Sequence, residues 1–89
     1  MSGLRERVVL DPTYRLQWEE PRQCYVLLFP EGLITLDRHA SAILKHCDGT
    51  RTVGDIITAL KQQSTDCDLE TDVPRFLAMA RDRGWIRYG

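Results

Sequence analysis

The sequence predicts an α+β domain in which a three-stranded antiparallel sheet is followed by three helices. Two observations carry this prediction. From residue 14 to residue 36, apolar residues either alternate with polar ones or form short β-prone runs, a pattern typical of strands. From residue 37 onwards they recur every three or four positions, a pattern typical of amphipathic helices.

Three segments predict the strands of an antiparallel meander, namely "YRLQW" (residues 14–18), "CYVLLF" (24–29) and "LITL" (33–36). The first alternates polar and apolar side chains, whereas the second is apolar on both faces and suits the middle position. The connecting segments, "EEPRQ" and "PEG", each contain a proline, so we expect turns there. Residues 1–10 predict only a flexible, loosely held N-terminal lead-in, which leaves residues 11–89 as a single domain.

The first two helices are predicted from their caps and their apolar stripes. Asp37 is the expected N-cap of the first helix, which we expect to end at "CDGT", where Gly49 suits a left-handed cap. The second helix is predicted to begin at residues 52–55 ("TVGD"), which resemble a capping box with aspartate in place of glutamate. The stripes comprise Leu36, Ala40, Ile43, Leu44 and Cys47, and then Val53, Ile56, Ile57 and Leu60.

The third helix is predicted to begin near Asp72 and to close at Gly84. Pro74 falls in the predicted first turn, where its missing N–H has no partner within the helix to lose. The apolar stripe comprises Val73, Phe76, Leu77 and Ala80. After the helix, residues 85–88 ("WIRY") supply apolar groups that we expect to pack back on the core.

Charge and size limit the classes of function. The 89 residues carry a formal net charge of −1, whereas a dedicated nucleic-acid binder usually shows a strong basic excess. Two short helices joined through "CDGTRT" fit a helix-turn-helix, but the second offers base-reading side chains only at its end, at residues 61–63. We therefore expect no nucleic-acid partner, and a DNA-binding regulator stays open as an alternative.

Cysteine usage and apolar runs predict the compartment. Cys24, Cys47 and Cys67 are widely spaced and form no C-x-x-C pair, which indicates a reducing cytoplasm rather than a disulfide framework. Residues 1–10 lack the apolar segment of a secretory signal, and no run approaches the roughly 20 apolar residues of a membrane span. We expect a cytoplasmic domain that binds no membrane.

Candidate catalytic and metal-binding residues are few. His39 and His46 lie seven residues apart on the first predicted helix, beside Cys47, yet zinc requires three or four ligands and no others are near. The acidic residues between 66 and 72 miss the spacing of an EF-hand loop, and no nucleophile triad, P-loop or dinucleotide pattern is present. We therefore expect a protein that is not an enzyme and has no metal or cofactor.

The segment "LITL" predicts an edge strand that few features protect. An unpaired edge presents backbone N–H and C=O groups to which another chain can add, and natural edges usually carry a lysine, a proline or a bulge. Here the only such device is Pro30, in the turn before the strand. Two interpretations stay open: a bound peptide adds to this strand, or the N-terminal segment or a second copy in a homodimer covers it.

Two segments resemble the coenzyme PQQ synthesis protein D family, namely "VLLFPEGLITLDRHASAILKHCDGTRTVGDIITAL" and "DVPRFLAMARDRGWI". The match runs from about Asp11 to Ile86. Its motifs are the Pro-Glu-Gly turn, the Leu-Asp opening of the first helix, the Asp-Gly stop and the final Gly-Trp-Ile. The departures are mild: Asp37 stands where the family more often has asparagine, and Phe29 where tyrosine is common.

The resemblance implies a winged-helix-like module that serves as a recognition element for ribosomally made, modified peptides. Such a protein binds the precursor peptide PqqA and presents it to the radical SAM enzyme PqqE, which crosslinks a glutamate and a tyrosine during the synthesis of pyrroloquinoline quinone. In related modules the leader peptide adds beside the third strand, in a groove walled by the third helix. A recognition element for another modified peptide is the remaining alternative.

On this implication, the peptide-binding residues are expected on the third strand and the third helix. The strand supplies Leu33, Ile34, Thr35 and Leu36, and the helix supplies a floor of Phe76, Leu77 and Ala80 with Arg75, Met79 and Arg83 beside it. Backbone hydrogen bonds contribute only ~0.5–1.5 kcal/mol each. Ordering the peptide costs roughly 1–2 kcal/mol per residue. Apolar anchors, worth ~1.5–3 kcal/mol each, must therefore decide affinity.

Overall fold

The structure, a computed structural model, describes residues 6–63 and 68–89. Its strands are β1 (Arg7–Leu10), β2 (Arg15–Glu19), β3 (Cys24–Phe29), β4 (Gly32–Thr35), β5 (Asp48–Thr52) and β6 (Ile86–Tyr88). Its helices are α1 (Arg38–Leu44), α2 (Val53–Lys61) and α3 (Leu69–Asp82). The fold class is α+β, with two three-stranded antiparallel sheets and three helices. None of the described helices is long and apolar enough to span a membrane.

The predicted meander is confirmed as the sheet β2–β3–β4. Leu27 of the middle strand lies opposite both Leu16 of β2 and Ile34 of β4. Residues that are directly opposite each other share a face of the sheet, so these three side chains face the core together. Trp18, one of the apolar residues of the first predicted strand, is 43% exposed instead of packed inside.

The second sheet, in the order β5–β1–β6, is absent from the sequence prediction. Arg7–Leu10 form its central strand and Val8 is wholly buried, so the expectation of a loosely held lead-in over residues 1–10 is wrong for this part. Residues 1–5 lie outside the described residues. The predicted order of strands before helices is also wrong, because β5 lies between α1 and α2 and β6 follows α3.

Helix α1 begins as predicted and ends earlier than predicted. The Asp37 carboxylate accepts a hydrogen bond from the Ala40 N–H at 2.7 Å, which confirms the N-cap. The helix ends at Leu44, because the residues that follow leave it to pair with β1 as β5. Gly49, expected as the C-terminal cap, has a φ of +87° inside β5 and lies against Val9 of β1.

Helix α2 begins at the predicted capping box. The Thr52 hydroxyl accepts from the Asp55 N–H at 3.1 Å, and the Asp55 carboxylate accepts from the Thr52 N–H at 3.1 Å. These two bonds satisfy backbone donors that the helix itself leaves unpaired. Aspartate thus replaces the usual glutamate without loss of the motif.

Helix α3 begins at Leu69, earlier than the predicted start near Asp72. Pro74 therefore lies in the second turn and not in the first, so the helix lacks the hydrogen bond that this residue would donate to the Glu70 C=O. The predicted end at Gly84 is confirmed, since its φ is +81°.

The core takes a wholly buried residue from each of five elements, namely Val8, Leu27, Ile43, Ile56 and Leu77. Trp85 and Ile86 join this cluster, which confirms that "WIRY" packs back on the core. The elements of the second sheet thus contribute to the same core as the meander and the helices.

Candidate functional site

The outer edge of β4 has no partner strand within residues 6–63 and 68–89, because β4 ends the sheet order β2–β3–β4. Residues 7–10, one candidate for covering this edge, belong to the other sheet. Leu33 on β4 is 39% exposed. In the described structure this edge is open to another chain.

The hydrogen-bond register of the β3–β4 hairpin determines which backbone groups face the open edge. The Leu36 N–H donates to the Tyr25 C=O at 3.0 Å. Bonded and non-bonded pairs alternate along an antiparallel ladder, so Ile34 also bonds inward to β3. Leu33 and Thr35 therefore direct their N–H and C=O groups towards the open edge.

The other edge strand of the same sheet, β2, is protected by its side chains. Arg15 and Glu19 place charges at its two ends, and Gln17 lies between them. Charged side chains on an edge oppose pairing with another chain. Between Gly32 and Thr35, β4 carries no charged residue, so it is the better template for strand addition.

A cleft of about 260 Å³ lies between β4 and α3. Its lining residues are Ile34, Thr35, Leu36, Asp37, His39, Ala40, Phe76, Met79 and Trp85. The polar side chains of this lining all come from the β4–α1 side, and the α3 side is apolar. A chain added to β4 would direct every second side chain into this apolar cleft.

The floor of the cleft depends on how α3 ends. The Trp85 N–H donates to the Ala80 C=O at 2.9 Å, and the Gly84 N–H donates to the Arg81 C=O at 3.0 Å. This Schellman motif turns Trp85 back onto the helix. The ring centroids of Phe76 and Trp85 then lie 6.5 Å apart at an interplanar angle of 55°. The result is an aromatic floor held by backbone hydrogen bonds.

Half of the predicted peptide-binding residues come together in this cleft, namely Ile34, Thr35, Leu36, Phe76 and Met79. Leu33 lies on the same strand but directs its side chain to the other face of the sheet from Ile34. Phe76 and Met79 are half-buried, so each keeps surface that a ligand can contact. Their roles in binding stay predictions.

The other predicted residues on α3 lie outside the cleft. Leu77 and Ala80, expected in its floor, are wholly buried and offer no surface to a peptide. They hold α3 against the core instead. Arg75 and Arg83 are exposed and do not line the cleft. The Arg83 guanidinium lies 5.8 Å from the ring centroid of Trp85, so its charge is close to the aromatic floor.

Four lining residues were not predicted, namely Asp37, His39, Ala40 and Trp85. The first three lie beside the cleft because the first turn of α1 directly follows β4 in the chain. Trp85 follows from the glycine before it, since the residue after a Schellman glycine commonly packs on the preceding helix turn. Both signals were available in the sequence.

The two histidines do not share a site with other metal ligands. His39 lines the cleft, whereas half-buried His46 follows α1, and burial lowers the pKa of its imidazole. Within residues 6–63 and 68–89, no three His, Cys, Asp or Glu side chains form a group that can hold a metal. Asp66 and Cys67 lie outside the described residues.

The base-reading side chains predicted on α2 are partly engaged elsewhere. The Lys61 ammonium donates to the Glu70 carboxylate of α3. Lys61 is the only cationic residue of α2, so this ion pair occupies the one positive charge that the helix offers to a phosphate or a base.

The cleft beside β4 is not the largest one described, so cleft volume is not the reason for choosing it as the candidate site. A larger cleft of about 680 Å³ opens beside β2, where Tyr14, Leu16 and Phe29 contribute to its lining. It adjoins the edge strand that carries charges, and not the open edge of β4. The cleft beside β4 is therefore the better candidate for binding an extended chain.

Comparison with known proteins shows close relatives over most of the chain. The family model described as coenzyme PQQ synthesis protein D (PqqD) matches residues 24–86. A PqqA binding protein of Azotobacter vinelandii is 45% identical over 74 residues, which cover 82% of this chain and 80% of that protein. A PqqA binding protein of Acinetobacter baylyi is 47% identical over 79 residues, 88% of this chain and 80% of that protein.

Two solved structures share the fold. The solution NMR structure of the PqqD truncation of Methylobacterium extorquens PqqCD, described as a stand-alone recognition element for ribosomally synthesised and modified peptides, matches with a TM-score of 0.74 and 32% identity. The match covers 98% of this chain and 94% of that one. The heterocyclase TruD matches with a TM-score of 0.71 over 94% of this chain and 12% of TruD, at 20% identity, which shows a shared fold only.

Proposed function

The chain belongs to the coenzyme PQQ synthesis protein D family, and from this premise we propose that it binds the precursor peptide PqqA and presents it to the radical SAM enzyme PqqE. Its role is that of a non-catalytic recognition element in the synthesis of pyrroloquinoline quinone. The observation that carries this proposal is the open edge of β4 beside the apolar cleft.

Strand addition would use the backbone of β4. Leu33 and Thr35 each direct one N–H and one C=O to the open edge, so an antiparallel peptide strand gains about four hydrogen bonds there. At roughly 0.5–1.5 kcal/mol each, these bonds contribute about 2–6 kcal/mol. Ordering eight peptide residues costs roughly 8–16 kcal/mol. The backbone therefore fixes the register but cannot supply the affinity.

Several apolar side chains of the peptide must therefore supply the remaining free energy. The cleft floor of Phe76, Met79 and Trp85 accepts a large apolar side chain, whose burial contributes about 1.5–3 kcal/mol. Met79 lets the floor adapt to the shape of that side chain, because its thioether is flexible and polarisable. The residue of PqqA that packs in this cleft would be an apolar residue of the added strand.

The remaining predicted residues have supporting roles in this proposal. Arg75 and Arg83 attract peptide carboxylates near the cleft, where a guanidinium can bind them in a bidentate way. Leu77 and Ala80 support the floor from below through core packing. A homodimer that pairs two β4 edges would compete with the peptide, so we propose that the peptide-binding form is the one with a free edge.

The fold suits presentation of the peptide to an enzyme. A peptide on β4 would lie at the edge of the molecule and keep its flanks free for PqqE. We propose that α2, α3 and the β1–β6 ladder form a winged-helix-like scaffold that holds this edge.

An amide NMR titration of the ¹⁵N-labelled chain with synthetic PqqA tests peptide binding. We expect the largest shifts at residues 33–36 and on the exposed face of α3. Duplex DNA of the same concentration serves as the control titrant and should leave these signals unchanged. Binding of PqqA that shifts β5 or β6 and spares β4 would contradict the proposed site.

Presentation to PqqE needs a separate measurement. The rate of PqqA modification by PqqE is compared with the chain present and with the chain absent. We expect modification to require the chain. Equal rates with and without the chain would overturn presentation while leaving peptide binding intact.

A further inference from the structure

A cleft of about 590 Å³, distinct from the two described above and termed the second cleft, lies between the end of the β2–β3 hairpin and α1. The hairpin contributes Trp18, Gln23, Cys24 and Tyr25. The other side is formed by Leu36, Asp37, Arg38, Ser41, Ala42, Lys45 and Gln63. None of the residues predicted on the helical wall of the peptide site takes part in this cleft.

The hairpin wall is an ordered aromatic surface. Trp18 is 43% exposed, and its indole N–H donates to the Glu20 carboxylate at 2.8 Å, which fixes the ring. The rings of Trp18 and Tyr25 meet edge to face with centroids 5.1 Å apart. The Lys45 ammonium lies 4.6 Å from the centroid of the Tyr25 ring. An exposed indole in a fixed orientation is the kind of residue that anchors a partner.

The charged residues that line the second cleft are Arg38, Lys45 and Asp37, so its lining carries one excess positive charge. Arg38 and Lys45 are exposed, and neither forms an ion pair with a carboxylate in the part of the chain that the structure describes. The nearby carboxylates of Asp37 and Glu20 keep their charges and accept hydrogen bonds from the Ala40 N–H and the Trp18 indole N–H. A ligand carboxylate would therefore meet two cations that no carboxylate of the described residues pairs with.

The second cleft adjoins the cleft beside β4 at two residues. Leu36 and Asp37 line both. β4 runs from Gly32 to Thr35, so its C-terminal end points to the shared residues. An antiparallel peptide strand on β4 reaches this end with the residues that precede it in the peptide.

We propose that the second cleft binds the peptide segment that precedes the added strand, and that this segment combines an aromatic or aliphatic side chain with at least one carboxylate. The apolar side chain packs on Trp18 and Tyr25, and the carboxylate binds Arg38 and Lys45. This inference rests on the proposed function, because it extends the same peptide into a second subsite. Recognition then depends on two patches joined at Leu36 and Asp37.

A comparison of two peptides tests the second subsite. Amide exchange on labelled PqqA first identifies its strand-adding segment, and a second peptide is then made that lacks all residues before that segment. We expect intact PqqA to shift the Trp18 indole signal and the amides of residues 38–45 as well as residues 33–36. The shortened peptide should shift only the β4 and α3 signals and bind about five- to tenfold more weakly.

The outcomes separate this inference from the proposed function. Shifts at residues 33–36 with an unchanged Trp18 indole signal for intact PqqA would overturn the second subsite and leave strand addition standing. The absence of shifts at both patches would overturn both proposals. Equal affinity of the two peptides would also overturn the second subsite.

A matched pair of variants tests the charge of the second cleft. Lys45 and Lys61 are the two lysines of the chain, and only the first lines the cleft. We expect Lys45→Gln to weaken PqqA binding about two- to fivefold at low salt, as one exposed ion pair of up to ~1 kcal/mol would, and to have less effect at high salt. Lys61→Gln removes the same charge elsewhere and should leave the affinity unchanged. Equal losses in both variants would contradict a local contact at Lys45.

Discussion

The hydrogen bond from the Leu36 N–H to the Tyr25 C=O, at 3.0 Å, sets the register of the strand that faces solvent. Bonded pairs alternate along the ladder, so the backbone N–H and C=O groups of Ile34 bond to β3, and those of Leu33 and Thr35 face outward. Residues that are neighbours in sequence thus play opposite roles: one holds the sheet together and the other is free to bind. The first prediction follows from this difference.

Thr35→Pro removes an outward N–H without removing a hydrogen bond between β3 and β4. We expect the variant to fold, because proline is tolerated on an edge strand where its missing N–H faces solvent. PqqA affinity should fall roughly two- to twelvefold, the equivalent of one lost hydrogen bond of about 0.5–1.5 kcal/mol. Calorimetric titration measures the loss. Thr35→Ala keeps the N–H but loses the side chain in the cleft lining, so the difference in affinity between the two variants isolates the backbone hydrogen bond.

Ile34→Pro is the contrasting variant for the same strand. Its lost N–H bonds inward, so we expect the free energy of unfolding in urea to fall by about 1–3 kcal/mol because a partner on β3 is left unpaired. Thr35→Pro should change this free energy far less. If the two variants were equally stable and bound PqqA equally, the deduced register would be wrong.

The glycine that ends α3 offers a test of the cleft floor. Gly84 has a φ of +81°, and a Cβ atom added there meets no atom within 4 Å, so Gly84→Ala acts through backbone strain alone. We expect the free energy of unfolding to fall by about 1–2 kcal/mol. Gly54→Ala, in the first turn of α2, should have the opposite sign and stabilise by about 0.4–1 kcal/mol. Thermal denaturation of both variants checks the signs, and a stabilised Gly84→Ala would contradict the Schellman geometry.

The features that the sequence predicted correctly are local ones. The N-cap at Asp37, the capping box at Thr52 and the stop at Gly84 each depend on residues within one helical turn. The meander depends on short turns between adjacent strands. Hydrophobic period and turn chemistry are sufficient for such elements.

The second sheet was missed because its pairing is remote. Val9 lies opposite Asp48 and Arg87, which are about 40 and 80 residues away in sequence. Each strand is short, and "DGTRT" of β5 has the composition of a turn. Tertiary pairing overrides this local preference, as is common for strands.

The candidate site was predicted only in part for a related reason. The sequence indicated the whole segment from Leu33 to Leu36 as the edge, and three of its four residues line the cleft. The apolar stripe of a helix does not show which of its residues lie in the core and which keep exposed surface, because the stripe contains both kinds. Leu77 and Phe76 are adjacent in that stripe, yet the first is wholly buried and the second keeps exposed surface in the cleft.

The thiol of Cys47 gives the fold a measurable pH dependence. Burial raises its pKa from 9.0 to about 12. The unfolded chain therefore loses this proton at lower pH than the folded chain. Stability is retained below about pH 9 and falls as the pH rises towards 12, by up to roughly 1.4 kcal/mol per pH unit. Urea titrations between pH 8 and pH 11 measure this slope. In Cys47→Ala the contribution of this group should disappear, and an unchanged slope would contradict the assignment.

Met79 tests whether the cleft between β4 and α3 binds the peptide. Met79 is half-buried in the apolar lining, whereas its neighbour Ala78 is exposed and does not line the cleft. Met79→Glu places a carboxylate where an apolar peptide side chain would pack, so we expect PqqA affinity to fall by about tenfold, as for a lost anchor of about 1.4 kcal/mol. Met79→Leu keeps the apolar lining and should bind nearly as well as the unchanged chain. Ala78→Glu adds the same charge to α3 outside the cleft and controls for net charge. If Ala78→Glu weakened binding as much as Met79→Glu, the effect would be one of overall charge, and the peptide would lie elsewhere on the molecule.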